Sequence, residues 1–445
     1  MLNFLIRVRY MINIKSLIPN FALNWYHFAL AFVGAFLYGF PSRKLVVIGV
    51  TGTNGKSTVV EMCHQIFKEA GFRVASLSSV RFNVNGEVRP NLLKMTMPGR
   101  FRLQKFLRDA VAAGCKYAVL EVTSEGIKQH RHKFIDFDAA VFTNLTPEHI
   151  ESHGSFEAYK KAKGELFRSL AGKNKNEQYA IVNLDDPNAE YFLGFPANKI
   201  GYTLNSEYTA GGVKSIKAEE VKNFAGGSAF SVEGIAMRVK LPGEFNVSNA
   251  LAAIGAALSQ GVDFKTIGKA LENIQSVPGR MEVVSREPFT VIVDYAHTPD
   301  ALEKVYSTVK NLDANRHTIN GKMICVLGAA GGGRDKWKRP ELGKIAARFC
   351  DQIILTDEDP YDEDPVRIVS QIKEGIAVAQ FSADKVLEIL DRREAIRKAL
   401  ALAAAGDAVI ITGKGSEPWM CVAGGKKIAW DDRMVAEEAL KTIVR

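Results

Sequence analysis

The 445-residue chain has only five cysteines, and no two of them stand in the C-x-x-C spacing that marks a structural zinc site or a redox dithiol. Cys63, Cys115, Cys325, Cys350 and Cys421 are odd in number and scattered, so reduced, buried thiols in a cytoplasmic protein are the expectation. Internal repeats and low-complexity linkers are also missing, which excludes solenoids and tethered modules and suggests domains that meet closely around a shared site. Basic residues are in excess, 58 Lys and Arg against 49 Asp and Glu for a net charge of +9, yet they are not clustered with aromatic residues. Nucleic acid is therefore not the expected partner; anionic small molecules or a membrane surface fit this charge better. No small-x-small cleavage site follows the apolar run Phe21 to Phe40, which argues against a secretory signal.

What is present begins with composition. An apolar share of 47% and a charged share of 24% describe a soluble globular chain long enough for two or three domains. Phe21 to Phe40, polar only at Asn24 and His27 and flanked by cations, is long enough to just span a bilayer. Three readings stay open: a helix packed on the protein itself, an in-plane or anchoring membrane helix, and a partner-binding helix.

Lys44 to Val50 is a β-branched run, followed by a glycine-rich turn and by Ser57 to Ala70 with apolar residues at helical spacing. Tyr117 to Val122 and Ala139 to Asn144 read as buried strands, Phe156 to Leu170 and Phe245 to Gln260 as helices, and Gly194 to Lys240 as a small β-rich excursion. The alternation predicts a mostly parallel sheet covered by helices. Val277-Pro-Gly-Arg280 breaks the pattern, and a second alternation follows with strands at Thr290 to Asp294, Met323 to Leu327, Gln352 to Thr356 and Ala408 to Thr412. The expected fold is α/β: a central P-loop ATPase domain over 44–280 and a Rossmann-like α/β domain over 281–445, preceded by an apolar segment, 1–43.

Gly49-Val-Thr-Gly52-Thr-Asn-Gly55-Lys56-Ser57 lies between a strand and a helix, where polyphosphate is held. Glycines let backbone N–H groups approach the anion, the helix start offers unpaired donors, Lys56 adds positive charge and Ser57 can offer its hydroxyl to magnesium. The loop is a variant, because Val50 stands where the general pattern has glycine. A nucleotide loop alone does not say what is phosphorylated.

The form Gly52-Thr-Asn-Gly55-Lys56-Ser57 resembles that of the Mur ligase family, which includes folylpolyglutamate and cyanophycin synthetases beside the peptidoglycan precursor ligases. Glu121-Val-Thr-Ser-Glu-Gly-Ile-Lys-Gln-His-Arg131, Phe142-Thr-Asn-Leu-Thr-Pro-Glu-His149, Ser152-His-Gly154, Ala162-Lys163, Phe245-Asn-Val-Ser-Asn249, Gly279-Arg-Met-Glu282 and Asp294-Tyr-Ala-His-Thr-Pro299 follow in the family's order. The likeness is greatest to members that add the third residue of a cell-wall stem peptide. It implies an ATP-dependent ligase of peptidoglycan precursor synthesis, in which the γ-phosphoryl group of ATP activates a carboxylate and an amine attacks the acyl phosphate.

By the same resemblance Gly52, Thr53, Asn54, Gly55, Lys56, Ser57 and Thr58 hold the nucleotide, with Asn249 at adenine, Asp294 at ribose, and Arg280 and His297 facing it from the other domain. Ser57, Glu121 and His149 are the implied magnesium positions, joined by Lys163 if it is carbamylated; Lys56, Lys163, His149 and Arg280 are the implied catalytic set. Taken singly, Glu121 and His149 would more often be surface residues, Lys163 a solvated helix residue and Asn249 a cap. Thr96, Thr123, Gln129 and Arg131 correspond to positions holding a muramoyl-peptide-type donor. Glu125 and Glu148 depart from the family's histidine and aspartate.

The acceptor loop reads Thr356-Asp-Glu-Asp359-Pro360-Tyr361, where diaminopimelate-selecting members show Asp-Asn-Pro-Arg. An arginine would clamp the distal carboxylate bidentately and Tyr361 cannot, so diaminopimelate is disfavoured. Asp357, Asp359, Tyr361, Gly413 and Glu417 are the expected acceptor residues, with lysine or ornithine as reasonable acceptors; Tyr361 read as a turn aromatic and Glu417 as a surface charge are the alternatives. Only 43 residues precede Lys44, too few for the amino-terminal UDP-binding domain of such members, so a lipid-linked donor and membrane contact through Phe21 to Phe40 come into view. A cytoplasmic monomer is expected. Ligation onto another donor, such as folate or cyanophycin, and a non-catalytic nucleotide-binding partner are the competing functions.

Overall fold

The computed structural model describes residues 19–93, 95–171, 177–205, 211–224, 226–311 and 321–443. Helix α1 (Asn20–Leu37) leads into strand β1 (Val46–Thr51) and helix α2 (Lys56–Glu69). Strands β2 (Val74–Leu77), β3 (Arg81–Val84) and β4 (Glu87–Pro90) precede α3 (Arg100–Ala112), β5 (Tyr117–Glu121), the short α4 (Ser124–Lys128) and β6 (Ala139–Phe142). Two helices, α5 (Ile150–His153) and α6 (Phe156–Arg168), then β7 (Tyr179–Asn183), α7 (Ala189–Leu193), β8 (Asn198–Thr203) and β9 (Val213–Lys217) complete the first sheet region. The meander β10 (Glu219–Phe224), β11 (Gly227–Val232) and β12 (Ile235–Val239) is followed by α8 (Glu244–Leu258) and α9 (Phe264–Asn273).

The first sheet has the order β4-β3-β2-β5-β1-β6-β7-β8-β9 and is parallel from β2 to β9; β3 and β4 are antiparallel additions at one edge. Its central strands are buried on both faces, which is why Val46–Thr51 and Tyr117–Glu121 read as continuous apolar runs. One face packs on α2, α8 and α9 and on the meander; the other packs on α3, α6 and α7.

A second sheet contains β13 (Glu282–Ser285), β14 (Thr290–Asp294), β15 (Met323–Leu327), β16 (Gln352–Leu355), β17 (Val386–Glu388) and β18 (Ala408–Thr412), in the order β13-β14-β18-β15-β16-β17. Only β13 runs antiparallel to its neighbour. Helices α10 (Pro299–Asn311), α11 (Lys338–Phe349) and α12 (Pro365–Val378) cover one face, and α13 (Arg392–Leu402) and α14 (Asp432–Ile443) the other. A hairpin of β19 (Trp419–Val422) and β20 (Lys426–Ala429) follows β18.

The predicted strands and helices are present with ends shifted by one or two residues, but the β-rich excursion expected over Gly194 to Lys240 is corrected: β8 and β9 extend the parallel sheet, and only β10 to β12 stand apart from it. Not anticipated were the β3–β4 edge, α3, the antiparallel β13 and the β19–β20 hairpin, whose pairing depends on tertiary context more than on periodicity. The cysteine reading needs a correction: Cys325 and Cys350 form a disulfide, because β15 and the end of α11 bring their Cα atoms to 6.1 Å, while Cys63, Cys115 and Cys421 are free and buried. Helix α1 lies on the protein: Ala31 and Ala35 are buried, and Gly34 meets the backbone at the start of α3. Among the described residues no helix is long and apolar enough to cross a membrane.

On the second sheet's outer face, the fully buried Arg392 donates to both oxygens of the equally buried Asp432, at 2.8 and 2.7 Å. It also donates to Thr412 O at 2.8 Å, bracing the end of β18. Asp432→Ala leaves that guanidinium uncompensated, and a loss of about 3–5 kcal/mol of folding stability is expected in urea denaturation; a change within error would remove the pair from the fold's supports.

Candidate active site

A cavity of about 1090 Å³ opens between the two large sheets and takes its walls from both. The phosphate loop forms its floor. Gly52 (φ 152°) and Gly55 (φ 83°) hold conformations that favour glycine, and a Cβ at either would overlap the Thr143 hydroxyl or the Asn249 amide. Thr53 N donates to Asn144 O at 2.9 Å and Asn54 N to Asn144 Oδ1 at 2.8 Å, so the segment after β6 clamps the loop. Gly52 through Thr58 all line the cavity.

At the start of α2 the Ser57 hydroxyl donates to Glu121 Oε2 at 2.8 Å, and the same oxygen accepts from Ser79 N at 2.9 Å. Lys56 Nζ donates to Thr53 O at 2.8 Å, and the buried Lys163 Nζ to Gly52 O at 2.7 Å. Burial holds both amines below the ordinary lysine range, and the charge of Lys56 depresses Lys163 further. His149 (φ 57°) faces the same space; burial, then Arg334 and Lys163, push its ring down to about 2, so it is neutral and able to accept.

The second sheet supplies the opposite wall. Arg280 stacks over the Tyr295 ring at 4.3 Å and reaches Ser57 Oγ at 3.4 Å. Asp294 is held by Met281 N at 2.7 Å and Ala296 N at 2.6 Å, while burial raises its carboxyl above the usual range. His297 Nδ1 lies 2.8 Å from Tyr295 O, and burial lowers its ring well below the usual imidazole range. Asn54 Nδ2 donates across the gap to Asp300 Oδ2 at 3.0 Å. A second crossing joins Lys338 to Glu148 at 3.1 Å, both side chains nearly inaccessible. Beside it, Asp335 accepts from Ile150 N and Glu151 N at 3.2 and 3.0 Å.

Thr96, Thr123, Gln129 and Arg131 line one end of the cavity. Thr123 Oγ1 caps α4 at Gly126 N, 3.1 Å, and Arg131 donates to Gln129 Oε1 at 2.7 Å and also to Met97 O. Glu125 is engaged by Ser152 and by His153, 3.3 Å away. At another end Asp359 and Glu417 line the wall, both bound by Lys414, at 3.0 and 2.7 Å. Asp357, Tyr361 and Gly413 stand behind that wall. Gly413 leaves room for Glu358, and Tyr361 N donates to Cys421 O at 3.0 Å.

Residues 50–257 match the model of the Mur ligase middle domain, and residues 279–415 match that of the Mur ligase glutamate ligase domain. The chain belongs to the Mur ligase family. A UDP-N-acetylmuramoyl-L-alanyl-D-glutamate--2,6-diaminopimelate ligase of Syntrophomonas wolfei is 39% identical over 94% of this chain and 82% of its own length. A UDP-N-acetylmuramyl-tripeptide synthetase of Roseiflexus is 38% identical over 93% and 82%. A solved diaminopimelate ligase superposes with a TM-score of 0.59 at 33% identity over 90% of this chain and 79% of that one. The folylpolyglutamate synthase of Mycobacterium tuberculosis, at 17% identity and a TM-score of 0.69 over 96% and 99%, shares the fold. This Mur ligase is accordingly an ATP-dependent, amide-forming ligase of the peptidoglycan-precursor type.

Among the ligase's cavity residues that its sequence did not single out are Arg334, Lys338, Glu358 and, as an interdomain partner, Glu148. The glycine run Gly331 to Gly333 followed by Arg334-Asp-Lys-Trp-Lys338, after a strand, was the available signal. The donor set suits magnesium: a hydroxyl, a buried carboxylate, a neutral imidazole, and Glu148 Oε2, which is buried without a hydrogen-bond partner. Among the described residues no three His, Cys, Asp or Glu side chains gather closely enough to enclose an ion alone.

Two outcomes follow from the charges. Lys338→Met strands Glu148 in the interdomain contact, and kcat/KM should fall by more than in the double variant Glu148→Gln/Lys338→Met; strictly additive losses would deny the coupling. Burial pushes Glu358 from 4.5 up to about 7. The folded state therefore binds more protons than the unfolded one between those values, and a penalty is absent below pH 4.5 and fully present above pH 7. Glu358→Gln should raise the Tm relative to the parent increasingly from about pH 5 to pH 8, by up to about 3 kcal/mol in stability; a pH-independent difference would contradict this.

Proposed function

We propose that this ligase joins an amino acid to the carboxylate of a muramoyl-peptide-type donor. A donor carboxylate oxygen attacks the γ-phosphorus of ATP and ADP leaves; the acceptor amine then attacks the acyl phosphate, forming the amide and releasing phosphate and a proton. The observation that carries this reading is the meeting of Lys56, Lys163 and Ser57 with Arg280 and His297 in one cavity. Lys56 and Arg280 offset charge developing on the transferred phosphoryl group, and Asn249, Asp294 and His297 flank the nucleoside end. Ser57, Glu121, His149 and carbamylated Lys163 would hold magnesium, which neutralises phosphate charge when bound. A depressed amine such as Lys163 is the nucleophilic form that carbamylation requires.

Residues 44–280 form the nucleotide domain and 281–445 the acceptor domain in this reading, behind an apolar segment, 1–43. Thr96, Thr123, Gln129 and Arg131 hold the donor; Asp359 and Glu417, supported by Asp357, Tyr361 and Gly413, receive the acceptor. The acidic wall and the absence of an arginine at position 361 favour an acceptor with a distal amine, lysine or ornithine. The enzyme acts as a cytoplasmic monomer, with membrane-surface contact through Phe21 to Phe40.

Phosphate release measured with a panel of donors and amino acids tests this. Release requiring both a muramoyl peptide and lysine or ornithine is expected; release with diaminopimelate alone would overturn the acceptor assignment, and release only with folate or another donor would overturn the donor. Lys163→Ala should lower turnover by about 10²–10³-fold. Arg280→Ala should reduce kcat while leaving the Tm close to the parent's, and an unchanged kcat would remove Arg280 from the catalytic set.

A further inference from the structure

Helix α1 is apolar all round but covered on one side only. Ala31, Gly34 and Ala35 pack inward, while Trp25, Tyr26, Phe32, Val33, Phe36 and Leu37 form an outward stripe between 42 and 70% exposed. A helix apolar on every face belongs in an apolar environment, and a contiguous exposed patch of this kind marks an interaction surface. Its described surroundings are mainly cationic: Arg43, 3.5 Å from Asp136, and Lys44 follow it. Helix α3, packed beside α1, carries Arg100, Arg102, Lys105 and Arg108 against Asp109 alone.

We propose that the outer face of α1, with the cationic α3 beside it, docks in the plane of an anionic lipid surface. Tryptophan and tyrosine suit the water–lipid boundary, and flanking cations suit anionic headgroups. A second copy of the chain is a poor occupant, since two such faces would oppose like charges. The face is continuous with the donor end of the cavity. From α1, Asn24 bonds His130 and the Phe28 ring packs on Phe134 at 5.1 Å, and from α3 Arg100 donates to Gln129 O, so the two helices grip the segment that carries Gln129 and Arg131. Docking therefore brings that mouth to the bilayer, where a donor on a lipid carrier is within reach; this last step rests on the ligase reading, and the binding itself does not.

Flotation of the full chain with phosphatidylcholine vesicles, with and without phosphatidylglycerol, tests the surface. Binding to the anionic vesicles at low salt is expected, at least about ten-fold weaker on neutral vesicles or in high salt. Trp25→Glu/Phe36→Glu should lower it by a similar factor with nucleotide binding intact. Arg102→Ser/Lys105→Ser, which leaves α1 untouched, should weaken it in anionic vesicles only. No flotation of the parent chain, equal flotation of both double variants and the parent, or a concentration-dependent dimer abolished by Trp25→Glu/Phe36→Glu would overturn the proposal. Phosphate release from the same preparations separates its failure from that of the ligase reading.

Discussion

The arrangement of this enzyme turns on cations kept away from bulk water. Lys163 sits buried against the phosphate loop, where burial and the charge of Lys56 oppose its own, and Lys56 is opposed in turn by burial and by Arg280. Arg280 and Arg334 add to the excess from the facing wall. Such a cavity is stable only because backbone carbonyls at Gly52 and Thr53 and the carboxylates of Glu121 and Glu148 partly offset the charge. It is also poised for an anion, since a polyphosphate supplies what these partial partners do not.

That constraint explains why two sheets are needed. The first sheet places the loop, Glu121 and His149 at the carboxyl ends of β1, β5 and β6, where a parallel sheet opens its crevice. It offers no cover. The second sheet brings Arg280, Asp294 and His297 over the same crevice, and the crossings Asn54 to Asp300 and Glu148 to Lys338 register one body on the other. The buried crossing is specific because either partner alone would be an uncompensated charge. Glu148 spans to Lys338 at 3.1 Å, so its carboxylate has a partner across the crevice.

Much of this was legible in the chain itself. Buried strands announced themselves as apolar runs because a parallel sheet hides both faces, and the loop from Gly49 to Ser57 needs its residue types in consecutive order. Residues joined by sequence order to a known family pattern, from Glu121 to His297, do line one cavity. The acceptor residues were less legible: Asp359 and Glu417 line the wall, with Glu358 and Arg334 beside them, whereas Asp357, Tyr361 and Gly413 do not, because which positions of a loop reach a cavity is set by how separate loops pack together.

Local residue order is enough to specify the phosphate loop, the strands and helices of both α/β layers and the apolar character of α1, since each depends on residues within a few positions of one another. The pairing of Cys325 with Cys350, the crossing from Glu148 to Lys338 and the covered side of α1 arise only when the chain is folded. Those depend on distances between segments far apart in the chain, and no local pattern encodes a distance.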